Sequence, residues 1–194
     1  MTTAEKNAVI EYHEIDGMTF YEIDPDMPWI FQGALLDSKE SHKHGAAVDC
    51  YEVEEYERMR LFLTPDLTAG FALDGDNIIS GFVHPRSRHR GCVGTMLALA
   101  ISLGGRRTDC FDPVLPSLYA PLGMVPVSRL TWNDNYAPEG WDYALSGRPD
   151  VVFMAYDPEA VGREYVPGAG KRVDDYALAV QIQDAYVDGF TLVA

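Results

Sequence analysis

The stretch Val83-His-Pro-Arg-Ser-Arg-His-Arg-Gly-Cys-Val-Gly94, continued by Thr95-Met-Leu-Ala-Leu-Ala-Ile-Ser-Leu103, decides how the rest of this chain is read. Two apolar runs precede or enter it, residues 68–73 and 77–83, placed around Asp74-Gly75-Asp76, and they predict an antiparallel hairpin. Residues 95–103 are good helix formers and close on Gly104-Gly105, where a C-cap glycine belongs. A strand, an Arg/Gly-rich turn and a helix start in that order suit a phosphate group. Unpaired backbone amides point at the anion, while the helix dipole and the arginines add favourable charge.

The charge pattern points the same way. The chain has 194 residues with a net charge of −15, yet Asn77 to Thr108 holds no Asp, Glu or Lys and carries Arg86, Arg88, Arg90, Arg106 and Arg107. One reading is a basic face paired with acidic neighbours; the other is a pocket for a polyanionic small molecule, which an acidic protein would otherwise repel. Composition leaves both open. The overall acidity argues against a nucleic-acid surface, because phosphate backbones require a basic footprint.

With 47% apolar and 23% charged residues, the composition is that of a folded globular chain. No apolar run reaches the roughly 18 residues of a membrane-spanning helix. Met1 to Asn7 has neither a basic start nor an apolar continuation, so no export signal is expected. Three cysteines without CxxC spacing give neither a disulfide framework nor a zinc site, and a reducing cytoplasmic setting is expected.

Working outward, residues 9–23 alternate around Asp16-Gly17 and predict a hairpin. Residues 24–47, with Pro25, Pro28, Gly33 and a polar cluster, predict loops and one short helix; His42 and His44 fall in this polar loop and have no matching ligand pair for a metal. Ala46 to about Met59 reads as an acidic helix. After the central stretch come a short strand at 109–112, a short helix at 115–122, an extended segment at 124–130, a loop over 132–149 and a buried strand over 150–156. Residues 159–171 are linker-like, and Val173 to Val187 reads as a helix with an apolar stripe of Val173, Ala177 and Val180, although Tyr176, Leu178, Val180 and Ile182 also alternate like a strand.

Residues 83–97 resemble the acetyl-CoA-binding motif of the GNAT superfamily of N-acetyltransferases, V-x-P-x-x-[Q/R]-x-x-G-x-[G/A], set between a strand and a helix. Val83, Pro85, Arg88 and Gly91 fall on the pattern; Val93 stands at its last position, with Gly94 one residue later. A second segment, Leu118-Tyr119-Ala-Pro-Leu-Gly123-Met124, is similar to the family's Tyr-x-x-x-Gly-Phe, with Met for Phe. The resemblance covers residues 68–158. It implies an α/β (α+β) fold, a mixed and mostly antiparallel sheet flanked by helices, over residues 1–158. Residues 159–194 lie outside it; separated by Pro158 and the Pro167-Gly-Ala-Gly170 linker, they are expected to form a C-terminal extension whose apolar stripe packs on the domain or on a second subunit of a homodimer.

By the same resemblance, the amides of His89, Arg90, Gly91, Cys92, Val93, Gly94 and Thr95 cradle the pyrophosphate of acetyl-CoA. Arg88 or Arg90 supplies charge, and Phe82 and Val83 receive the pantetheine and acetyl group. Asp112 stands where the family commonly has a turn Asn beside the cofactor, and Tyr119 is the general acid that protonates the leaving thiolate. No carboxylate lies between 77 and 108 to act as base, and none is assigned. No metal is implied.

Other constellations are missing. There is no Gly-x-Ser-x-Gly elbow, His-Glu-x-x-His or Walker loop. Two functions follow as expectations: an N-acetyltransferase moving acetyl from acetyl-CoA to a primary amine of a small molecule or protein, or a non-catalytic acidic protein on the same fold that engages a basic partner or mimics nucleic acid.

Overall fold

In a computed structural model, residues 8–191 are described; the reading of Met1 to Asn7 lies outside them. The chain divides into two compact units, Met1–Gly104 and Gly105–Ala194. No helix among the described residues is long and apolar enough to cross a membrane. Both units are mixtures of helices with mostly antiparallel strands, an α+β construction.

The first unit builds a sheet in the order β1 (Val9–Ile15), β2 (Met18–Ile23), β3 (Arg60–Leu63), β4 (Ala69–Asp74), β5 (Asn77–Val83), every pair antiparallel. The Asp16-Gly17 turn has positive φ at both residues, 49° and 75°, which matches the twist of the flanking strands. Helix α1 (Trp29–Ser41) is longer than the Pro- and Gly-containing sequence suggests. Pro28 lies just before its first turn, where no amide donor is needed. Phe31 and Leu35, one turn apart, bury completely in a core with Ile23, Tyr56, Leu61, Leu63, Ala72 and Phe82.

The acidic helix expected over 46–59 contracts to a 3-10 turn, Gly45–Ala47, and α2 (Val53–Tyr56). The cause is local. Glu52 and Glu55 form a reciprocal capping box that starts the helix at 53, and the Tyr51 amide donates to the Tyr56 hydroxyl. Strand β3 was not anticipated; its apolar run, Leu61 to Leu63, is too short to signal by itself. Helix α3 (Val93–Ser102) contacts β4 and β5 through a face that buries Met96, Leu97, Leu99 and Ala100.

The second unit orders its strands β6 (Arg107–Phe111), β8 (Val151–Tyr156), β7 (Met124–Leu130), β9 (Lys171–Val173). Its first two pairings are antiparallel, and β9 joins β7 in parallel. Helices α4 (Val114–Tyr119), α5 (Tyr143–Ser146) and α6 (Tyr176–Thr191) complete it.

Residues beyond the expected boundary at 158/159 pack on the second unit. Strand β9 pairs with β7, and Val173 and Ala179 share a core with Phe153. The Gln183 side chain is buried and donates to the carbonyls of Thr108 (2.9 Å) and Met154 (2.8 Å), while Ser128 Oγ donates to Ala179 O at 2.8 Å. Of the expected stripe, Val173 is buried but lies in β9 because the helix begins only at Tyr176, Val180 packs half-buried against the same core, and Ala177 is exposed; α6 itself buries Ala179, Gln183 and Val187.

Candidate functional site

In the first unit, β5 leads directly into the Arg/Gly-rich turn. The strand carries an extra residue relative to β4, since Ala72 pairs with Ile79 but Gly70 pairs with Phe82. The irregularity centres on Ser80, whose φ is 51°; its Oγ meets the Tyr56 hydroxyl at 3.0 Å and donates to Asp49 O at 3.2 Å. Bulges of this kind re-aim the residues that follow. Phe82, expected to receive the pantetheine, turns its side chain into the core against Phe31, centroids 5.8 Å apart. Val83 stays half-buried, paired with Ala69.

The turn is stiffened by its own side chains. His84 is buried, its Nδ1 accepts the Arg86 amide at 2.9 Å, and its Nε2 faces Asp37 at 3.4 Å. Ser87 Oγ accepts from the His89 amide (3.1 Å) and from Thr68 Oγ1 (2.8 Å). Gly91 has φ of 80°, a conformation that favours glycine, and its Cβ position is open. Cys92, buried, then precedes α3, and the helix start has no side-chain cap. Amides at Val93, Gly94 and Thr95 form the first turn, the position of a helix whose donors lack intrahelical acceptors.

The basic stretch does not act as one patch. Arg86 pairs with Asp37 at 3.1 Å, and Arg88 and His89 face Asp66 at 3.5 and 3.3 Å. Asp66 is fixed by the hydroxyls of Thr64 and Thr68, and these contacts with His89 hold its carboxyl below the ordinary range against the opposing effect of burial. Arg90 faces no carboxylate among the described residues and donates only to the Pro85 carbonyl, at 3.4 Å. Arg106 and Arg107 belong to the second unit, where Arg106 lies over the Tyr156 ring and Arg107 pairs with Asp184.

Two histidine groups lie elsewhere in the first unit. His42 and His44 have rings 5.7 Å apart, and burial followed by the neighbouring His44 and Lys43 charges pushes the His42 pKa down. Glu11, His13 and Glu22 bring ligand-type atoms within 4.8 Å of one another. Both Glu22 oxygens are already engaged: Arg60 donates to them at 2.7 and 2.9 Å, and His13 Nε2 lies 3.0 Å from one.

In the second unit, α4 ends at Tyr119 and a 3-10 turn, Ala120–Leu122, reaches Gly123. Gly123 has φ of 93°, and a Cβ there would lie 2.8 Å from Asp157 O, so both the turn and the close approach require glycine. The Tyr119 hydroxyl makes no hydrogen bond among the described residues. Burial, and then the neighbouring Cys110, push its pKa well above that of an ordinary tyrosine. It stays protonated at neutral pH.

Asp112, placed beside the cofactor by resemblance, is committed to the fold. Its carboxylate accepts from Arg129 Nη2 at 2.9 Å and from the Tyr165 hydroxyl at 2.6 Å. Arg129, itself buried, also faces Asp150 at 3.3 Å, and Arg172 closes the group onto Asp150 at 2.8 Å. Burial and the bond to Asp112 push the Tyr165 pKa up to about 12. Sequence reading missed this group, because its bonded partners lie 17 to 53 residues apart. It also missed the packing of Phe111 of β6 with Trp132 and Trp141 of the loop before β8, a loop whose only sequence signal is its density of aromatic residues.

Fold and site define an α+β protein whose first unit presents an uncapped helix start behind an Arg/Gly-rich turn. No protein-family model matches the chain, and no curated protein does. Among solved structures it is similar to the apo form of YjaB from Escherichia coli, solved in solution, at 12% identity, over 71% of this chain and 95% of that one, with a TM-score of 0.41. That likeness is too distant to carry an argument about function.

Proposed function

We propose that the protein is an acetyl-CoA-dependent N-acetyltransferase that passes the acetyl group to a primary amine of a small molecule or protein. The observation that carries this reading is the passage from β5 through the Gly91 turn into the uncapped start of α3, with Arg90 facing no carboxylate among the described residues. A diphosphate needs donors fixed before it arrives, and a helix start behind a stiff turn supplies them at little further ordering cost.

On this reading, acetyl-CoA supplies the activated thioester. The amides of the 89–95 segment and the Arg90 guanidinium hold its phosphates, with Arg88 shared between that role and Asp66. The Val93 side chain stands where the family motif has Gly or Ala, but its amide remains a donor. The deprotonated amine attacks the thioester carbonyl, and its nitrogen loses a second proton to solvent as the C–S bond breaks. Tyr119, in the role the resemblance gives it, donates a hydrogen bond or proton to the departing sulfur and regains from solvent any proton it loses. Phe82 serves through its backbone, since its ring belongs to the core. Asp112 is left out of the mechanism.

Thermal unfolding against acetyl-CoA concentration tests the reading, because a ligand of the folded state raises Tm with its concentration. A rising Tm with thiol release in the presence of primary amines is expected. A flat response up to millimolar acetyl-CoA would overturn it in favour of the non-catalytic acidic binding protein.

A further inference from the structure

Residues 131–150, between β7 and β8, form a long connection of the sort that carries recognition. It is built, not slack. Asn133 caps one turn by accepting the Asn135 amide at 3.0 Å, and Asp142 caps α5 by accepting the amides of Ala144 and Leu145 at 2.9 and 3.1 Å. Trp132 and Trp141 lie 4.7 Å apart, Phe111 supports Trp141 at 4.9 Å, and Tyr143 stands edge-on to Trp132 at 6.1 Å. Trp132 Nε1 donates to Asp134 Oδ1 at 2.8 Å, which fixes a carboxylate beside the aromatic surface.

A cation already occupies this place. The Arg148 guanidinium sits 4.7 Å from the centre of the Tyr143 ring, and its Nε donates to the same Asp134 oxygen at 2.8 Å. Arg148 and Trp132 hold the Asp134 carboxyl below the ordinary range. Arg148 is more than half exposed, so the cation over the Tyr143 ring lies at the surface. Tyr136 next to the patch is 84% exposed. Asp134, Glu139, Asp142 and Asp150 make the connection strongly acidic, with Arg148 as its one basic residue.

We propose that this surface binds an arginine side chain of a basic peptide segment, with Arg148 as the internal occupant that the partner's arginine replaces. A guanidinium fits because it is planar: it stacks on Tyr143 while directing an N–H to Asp134. An ammonium, a compact and strongly hydrated charge, matches the carboxylate but not the stacking. The inference concerns binding alone and stands whether or not acetyl-CoA is a substrate.

The test is tryptophan-fluorescence titration of the full chain with tetra-arginine amide and with tetra-lysine amide at equal ionic strength. Tetra-arginine binds more tightly than tetra-lysine, and Asp134→Asn weakens it. Arg148→Ala, by removing the internal competitor, tightens tetra-arginine binding by roughly two- to fivefold. Arg58→Ala, which removes one exposed positive charge from the first unit, is the control for net charge and has a smaller effect. Equal affinity for the two peptides, or the same gain from Arg58→Ala as from Arg148→Ala, would overturn the proposal and leave unspecific charge attraction.

Discussion

Replacing Tyr119 with Phe separates chemistry from structure with unusual clarity, because the Tyr119 hydroxyl has no hydrogen-bond partner among the described residues. Removing it breaks no bond among the described residues, and the ring is kept. Stability should stay within roughly 0.5 kcal/mol of wild type. The kinetic effect follows from two pKa values. A thiol near 8.5 is a stronger acid than a tyrosine near 10, and burial pushes Tyr119 higher still. Full proton transfer to the thiolate is therefore uphill by at least about 2 kcal/mol, and the residue acts chiefly as a hydrogen-bond donor to developing charge. Such bonds contribute about 1.5–3 kcal/mol, which corresponds to a roughly ten- to hundredfold loss of turnover. The assay is thiol release from acetyl-CoA with an accepted amine, and the affinity for acetyl-CoA should hardly change, the pattern of an interaction made only in the transition state. Unchanged turnover in a folded Phe variant would refute the assignment and leave Tyr119 as a packing residue.

Three further outcomes are expected. Arg90→Ala should weaken acetyl-CoA by roughly three- to tenfold in a thermal-shift titration while leaving a phosphate-free pantetheine thioester unaffected; equal losses would show that the arginine supports the fold. Gln183→Leu removes two buried side-chain hydrogen bonds, so a loss of about 1–3 kcal/mol is expected in urea unfolding, and a wild-type midpoint would show that α6 contributes little to the second unit. Burial alone would raise the Glu22 pKa, but Arg60 and His13 outweigh it and hold the folded-state value below 4.5. Its carboxylate thus contributes stability that is present above pH 4.5 and lost as pH falls through the lower folded value, so Glu22→Gln should flatten the dependence of Tm on pH in that acid range. An unaltered slope would place the acid sensitivity elsewhere.

What the sequence determined by itself is what adjacent residues determine. The Asp16-Gly17 hairpin, the β4–β5 hairpin, the passage from β5 into α3 and the glycine after the 3-10 turn at 120–122 all follow from dihedral preferences and apolar periodicity over a dozen residues. The same local signals misjudged α1, where the burial of Phe31 and Leu35 outweighs Gly33 and the nearby prolines, and the acidic 46–59 segment, where bonds from Tyr51 keep the chain extended until Glu52 caps a single turn. Only the tertiary structure decided which charges stay free. Asp37 and Asp66 take up Arg86 and Arg88 and leave Arg90; Arg129, 17 residues from Asp112, draws that carboxylate into an ion pair. It also decided that residues 159–191 complete the second unit, through a parallel strand and a buried glutamine 75 residues from the carbonyl it bonds. Ion pairs and buried hydrogen bonds depend on distance in space, and a linear pattern of residue types carries no record of which distant groups the folded chain brings within three ångströms.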